Sequence, residues 1–172
     1  VLRMFARNSG EYVAYADSYD KGITWSKFRA DTNLRARGNC MFSFINTSRS
    51  IDGKKVILGS YPSDPKNRAD GVIRVGLVDE SNKTQWINTY HINSGFFAYS
   101  CLTELSDGSF GLLYEDQPYQ ISYMILSLSD EGMLTEINGS NTEYEHNETF
   151  SEAFRRVFMT LLYRFLSLIG LL

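Results

Sequence analysis

The sequence predicts an all-β protein, about three blades of a β-propeller followed by a C-terminal amphipathic helix. Three observations carry this reading. Short apolar runs rich in tyrosine and phenylalanine, 11 of each among 172 residues, alternate with clusters of turn residues. The rhythm of three or four short strands and a turn repeats after roughly 40–50 residues, the spacing of propeller blades. One turn, Ser18 to Trp25, fits a pattern that pins blade-edge turns.

The elements follow in order. Residues 1–7 read as a strand, Asn8-Ser9-Gly10 as a turn, and 12–16 as the return. Ser18, Asp20, Gly22, Thr24 and Trp25 fill the S-x-D-x-G-x-T-W pattern, the Asp box. Physically this is a structural turn: Ser18 and Asp20 bond local N–H groups, Gly22 supplies a positive φ, and Trp25 folds back as an apolar lid. Residues 26–38 are polar and basic and read as a solvated loop, with no ligand role for Arg29, Arg35 or Arg37. Strands are expected at 41–45 and 55–60 around an Ile51–Lys54 turn, then a Pro/Asp/Asn-rich loop, 61–70, carrying Arg68. A strand at 71–78 follows. Asp79 to Asn82 turns it and Trp86 opens the return, as in a degraded Asp box without its glycine. Gly95 to Leu105 and Phe110 to Glu115 form a hairpin about Ser106-Asp107-Gly108. Tyr99 opens its first strand between Ala98 and Ser100, small neighbours that leave room for a ligand at the phenol. A last strand spans 121–128, turned at 130–132.

Three blades leave a ring unclosed, so the chain is expected to be a fragment whose upstream part is missing; it starts inside a strand-like run and shows no signal peptide. The expected organisation is propeller at 1–130, polar linker at 131–148 and helix at 149–172. Thr149 to Glu152 is a capping box, and Phe154, Val157, Phe158, Leu161 and Phe165 recur at helical spacing. The run is short for a membrane span and contains Arg164, so docking on the sheet or peripheral membrane contact through 154–172 is favoured over an anchor. A net charge of −3 with dispersed basic residues excludes nucleic-acid binding. Cys40 and Cys101 lack metal-ligand spacing; two buried free thiols are favoured over a disulfide between neighbouring strands. No metal or cofactor is implied. Four N-glycosylation patterns, at Asn46, Asn82, Asn138 and Asn147, agree with a secreted or cell-surface protein.

One series of motifs points further. Leu2 to Asn8 before the Asp box, Gly38-Asn39-Cys40, Asn67 to Gly71 before a strand, Phe97 to Leu102, and Asp107 to Glu115 stand in an order that resembles the C-terminal half of a bacterial- or trypanosomal-type sialidase, across roughly residues 1–130. The resemblance implies a six-bladed propeller that releases terminal sialic acid from glycans with retention of configuration. It implies sialylated glycans as partners. Arg7 and Arg68 match two of three arginines that bind the substrate carboxylate, a task suited to the planar, always-charged guanidinium. Tyr99 matches the nucleophile, a known exception to the carboxylate rule for retaining glycosidases. A neutral phenol avoids the repulsion that the substrate carboxylate would exert on a charged nucleophile, and it needs a base beside it. The family's glutamate base, first arginine and acid/base aspartate lie upstream of the matched region. Glu104, Glu115 and Asp70 are not expected to replace them: Glu104 falls on the opposite strand face from Tyr99, and Glu115 ends its strand toward solvent. The expected function is therefore an exo-α-sialidase, inactive as this chain alone, with a non-catalytic sialoglycan-binding fragment or a non-functional gene fragment as the alternatives.

Overall fold

A computed structural model describes residues 1–117 and 120–137. All of them lie in one compact unit, Val1–Asn141. They form three antiparallel sheets in which each strand pairs with its neighbour in sequence. The first holds β1 (Leu2–Ala6), β2 (Tyr12–Ser18) and β3 (Arg29–Arg35). The second holds β4 (Ser43–Ile51), β5 (Lys54–Pro62), β6 (Ala69–Val78) and β7 (Thr84–Phe96). The third holds β8 (Ser100–Glu104), β9 (Phe110–Gln117), β10 (Gln120–Leu128) and β11 (Leu134–Glu136).

The sheets are held by two apolar layers, which the period-2 alternation of the strands sorts cleanly. On β6, Ile73, Val75 and Leu77 face the third sheet, where they meet Leu102, Phe110, Leu112 and Leu126. Val72, one step out of phase, faces the first sheet and packs with Val13, Leu34 and Tyr61. The middle sheet is thus buried on both sides, and β5 and β6 read as nearly continuous apolar runs. Each such aliphatic side chain contributes about 1.5–3 kcal/mol on burial.

The turns leaving β2, β6 and β10 share one device. In each, a side-chain oxygen accepts the backbone N–H four residues on: Ser18 Oγ from Gly22 at 2.8 Å, Asp79 Oδ1 from Lys83 at 2.9 Å, and Ser129 Oγ from Met133 at 3.2 Å. In the first, Asp20 also takes the Thr24 N–H at 2.9 Å and the Thr24 hydroxyl at 2.6 Å, and Trp25 Nε1 donates to the Gly22 carbonyl at 3.1 Å. These bonds from Thr24, first its hydroxyl, hold the Asp20 carboxyl down at about 2.

Two expectations are corrected. Residues 29–35, read as loop, form strand β3. Its side chains are mostly exposed and polar, so no alternation signals it; it is held by backbone pairing to β2 and by Arg29 Nη2 donating to Asp17 at 2.7 Å. The polar linker expected from 131 gives way to β11, which pairs with β10 and closes the third sheet. The expected helix at 149–172 and its membrane contact lie outside the described residues. Among the described residues no helix is long and apolar enough to cross a membrane.

Candidate functional site

The segment between β7 and β8, Phe97 to Tyr99, lies outside the regular strands and is fixed by a buried ring. Phe97 is fully buried and stacks on Tyr114, ring centroids 5.4 Å apart. It lies flat on Gly71, where an added Cβ would sit 2.2 Å from the ring. The Phe97 N–H also donates to the Arg68 carbonyl at 2.9 Å. One aromatic anchor therefore ties the Arg68 loop to the chain two residues before Tyr99. The loop carries strain at its end: Asp70 holds φ at 55°, and the β6–β7 register shifts between Ala69 and Gly71.

These constraints bring Arg68 against Tyr99. Arg68 Nη2 donates to the Tyr99 hydroxyl at 3.3 Å, with the guanidinium carbon 5.0 Å from the ring centroid. Both side chains are half-buried. Cys40 lies beneath. Its thiol donates to the Ala98 carbonyl at 3.3 Å, and the charges of Arg68, Arg7 and Glu115 all reach it. Burial pushes that thiol up, against the pull of the Met41 backbone bond and the two guanidinium groups.

Arg7 follows β1 and is exposed. Its place is set by a clasp between two loops. Asn8 N–H donates to the Gly38 carbonyl at 2.7 Å, and Gly38 N–H to the Gly10 carbonyl at 3.1 Å. Gly38 has no room for a side chain, since a Cβ would lie 2.2 Å from the Gly10 oxygen. A cavity of about 360 Å³ opens beside these loops, with Glu11, Arg37, Asn39 and Lys66 on its walls.

Glu115 does not end its strand toward solvent, as expected. Ala98 N–H donates to the Glu115 carbonyl at 3.2 Å and Glu115 N–H to the Tyr99 carbonyl at 2.9 Å. The β8–β9 register thus continues past Ser100↔Tyr114 and sets Glu115 across from Tyr99, with a bulge at Ala98, whose N–H shares the same partner. Pairing parity between the hairpin strands, extended past Ser100↔Tyr114, was the signal that could have found it. Glu104 is committed elsewhere: its carboxylate accepts the Ser48 N–H at 2.8 Å and the Ser48 hydroxyl. The turn residues Ser18 to Trp25 sit at the far end of β2 from Arg7 and take no part in this cluster. Both cysteines are free, Cys40 buried and Cys101 exposed, where two buried thiols were expected. Cys101 points away because it opens the exposed side of β8. Among the described residues no cluster of His, Cys, Asp or Glu could hold a metal ion.

Comparison with known proteins places the chain in a family. The chain is 34% identical over 124 residues to the anhydrosialidase of Macrobdella decora, a match covering 66% of the chain. The chain is a sialidase homologue. Over 76 residues it is 38% identical to sialidase B of Streptococcus pneumoniae. The intramolecular trans-sialidase of Ruminococcus gnavus, solved with oseltamivir carboxylate, superposes on 76% of the chain with a TM-score of 0.70 at 30% identity. The NanB sialidase of Streptococcus pneumoniae superposes on 79% with a TM-score of 0.64 at 31% identity. The chain spans 16% of the leech relative and 31% of the Ruminococcus gnavus chain. No family model matches it.

Proposed function

We propose that this chain is part of an exo-α-sialidase and supplies two of the groups that hold the sialic acid carboxylate, Arg7 and Arg68, together with the nucleophile, Tyr99. The observation that carries the reading is the Arg68–Tyr99 contact on a sialidase-like fold, to which Arg7 is added by its place after β1. In this mechanism the Tyr99 hydroxyl gives its proton to a base as its oxygen attacks the anomeric carbon and the glycosidic C–O bond breaks, and the departing oxygen takes a proton from an acid. Water then displaces the tyrosine, so configuration is retained. The carboxylate lies on that same carbon, which is why guanidinium groups must sit beside the phenol.

The Ser18–Trp25 turn is read as an Asp box, and the three sheets as blades of a six-bladed propeller whose other blades carry the acid/base aspartate, the first arginine and the glutamate base. By this reading sialylated glycans are the partners and the setting is secreted or cell-surface. A second reading has one observation in its favour. Among the described residues, the recorded hydrogen-bond partner of the Tyr99 hydroxyl is a cation, Arg68, and not a base. On its own the chain then binds sialoglycan without cleaving it.

The test is hydrolysis of a fluorogenic sialoside by the whole protein that carries this chain. Tyr99→Phe abolishes turnover while sialic acid binding persists. Undiminished turnover in the variant removes the tyrosine from the mechanism.

A further inference from the structure

A second cavity lies along β6 on the far side of Arg74 from the Arg68 loop. It holds about 340 Å³, within the range that accepts a small ligand. Asn33, Lys54, Arg74, Asp79, Lys83 and Trp86 line it. Arg74 shares its strand face with Val72, so it points toward the first sheet and away from the larger apolar layer.

Its guanidinium is fixed before any ligand arrives. Nη1 donates to the Asn33 carbonyl at 3.1 Å, and the Trp86 ring lies 5.9 Å away. Trp86 is itself held: Nε1 donates to Asp31 at 2.9 Å, and the ring covers Gly76, where a Cβ would approach it to 2.8 Å. Arg74 Nε is buried and has no hydrogen-bond partner.

The charges around it are unbalanced. The four ion pairs among the described residues involve none of Lys54, Arg74 and Lys83. The acid in the lining, Asp79, is occupied by its own turn: Oδ1 accepts the Ser81 hydroxyl, the Ser81 N–H and the Lys83 N–H. Three cations and one carboxylate, Asp79, whose charge Lys54 feels, thus face one cavity beside an indole, and the guanidinium is oriented by the Asn33 carbonyl. A carboxylate or sulfate meets that geometry, and an aromatic wall suits the apolar face of a sugar ring.

We propose that this cavity is a second carbohydrate subsite, which takes an acidic sugar by its carboxylate or sulfate on Arg74, Lys54 and Lys83 beside Trp86. Arg74 stands in the middle of β6 and the Lys83 turn beyond its end, so the subsite is separate from the Arg68–Tyr99 pair.

The experiment uses the 172-residue chain carrying Arg68→Gln, which disables the first site. It is titrated with 3′-sialyllactose, lactose 3′-sulfate and lactose, reading heat of binding and the Trp86 indole N–H resonance. At least one acidic sugar binds and shifts that resonance, lactose does not, and the better of the two acids identifies the preferred anion. Arg74→Gln removes the donor to the Asn33 carbonyl and risks the fold, so the deciding variant is Lys54→Gln/Lys83→Gln, at partly or fully exposed positions. It weakens binding tenfold or more. The proposal is overturned if neither acid binds the Arg68→Gln chain, if lactose binds equally, or if the double lysine variant keeps full affinity. Equal binding by Arg68→Gln and the parent chain would instead count against the first site and leave this one standing.

Discussion

Gly71→Ala tests how the site is built. The added methyl would lie 2.2 Å from Phe97 Cδ2 and 2.5 Å from Cγ, a distance that no packed pair tolerates. The ring has nowhere to go, being fully buried and stacked on Tyr114. Overpacking of this kind costs about 1–3 kcal/mol, which lowers the melting temperature by several degrees. The functional cost is larger than the stability cost. Phe97 is bonded through its backbone to Arg68 and lies two residues from Tyr99, so a shifted ring separates the two. A displacement of about 1 Å at a reacting group can cost two orders of magnitude in rate. The control is Gly59→Ala, where the methyl would lie 2.1 Å from the Phe44 ring in the other apolar layer. Both variants are compared by urea unfolding and by sialic acid binding. Both lose stability, and Gly71→Ala alone loses binding beyond tenfold. Equal binding losses in the two variants, or none in Gly71→Ala, would refute the claim that Phe97 couples Arg68 to Tyr99.

Asp17 is 2% exposed and holds both Arg3 and Arg29 at 2.7 Å. Because Arg29 is half-exposed, Asp17→Asn costs about 2–3 kcal/mol in urea unfolding, below the range for a fully buried pair; a change under 0.5 kcal/mol would contradict the network. Acid weakens the fold through its turns. Asp20 is held at about 2 against an ordinary 3.8, and Asp17, Asp64, Asp79, Asp107 and Glu131 shift in the same direction. Carboxylates depressed in the fold contribute fully above their ordinary values, so the urea midpoint falls as pH drops from about 4 to about 2; Asp20→Asn flattens part of that slope, and a midpoint constant over the range would rule the turns out as its source. With Ellman's reagent, Cys101 reacts at once and Cys40 only on unfolding; fast reaction of both thiols would show that Cys40 is not sealed beneath Ala98.

The apolar strands were legible because their side chains alternate or run unbroken between turn residues, as in β5 and β6. Strand β3 was not, because its edge position leaves little to bury and its stability comes from ladder bonds and charges that sequence does not display. The same limit hid β11, whose three residues bury only Leu134. Arg7, Arg68 and Tyr99 stood out as a motif series and not from their own types, and of the three the structure joins Arg68 to Tyr99. Glu115 was missed because the end of β9 was not legible: the strand runs on to Gln117, which carries Glu115 past Tyr114 to a place opposite Tyr99. The Arg74 cavity had no signal in the linear pattern: a single arginine within an apolar strand gains meaning only when Asn33 and Trp86 are brought to it from two sheets.

Substrate discrimination by charge bears most directly on the whole account. Binding of sialic acid and of its uncharged carboxamide would be measured on the chain, on Arg7→Gln, on Arg68→Gln and on the double variant, all in the Lys54→Gln/Lys83→Gln background that silences the second cavity. If the two arginines grip one carboxylate, the parent prefers the acid, each single variant narrows the preference at least tenfold, and the double variant shows none. A preference for the acid that survives in the double variant would mean that these residues do not hold the sugar.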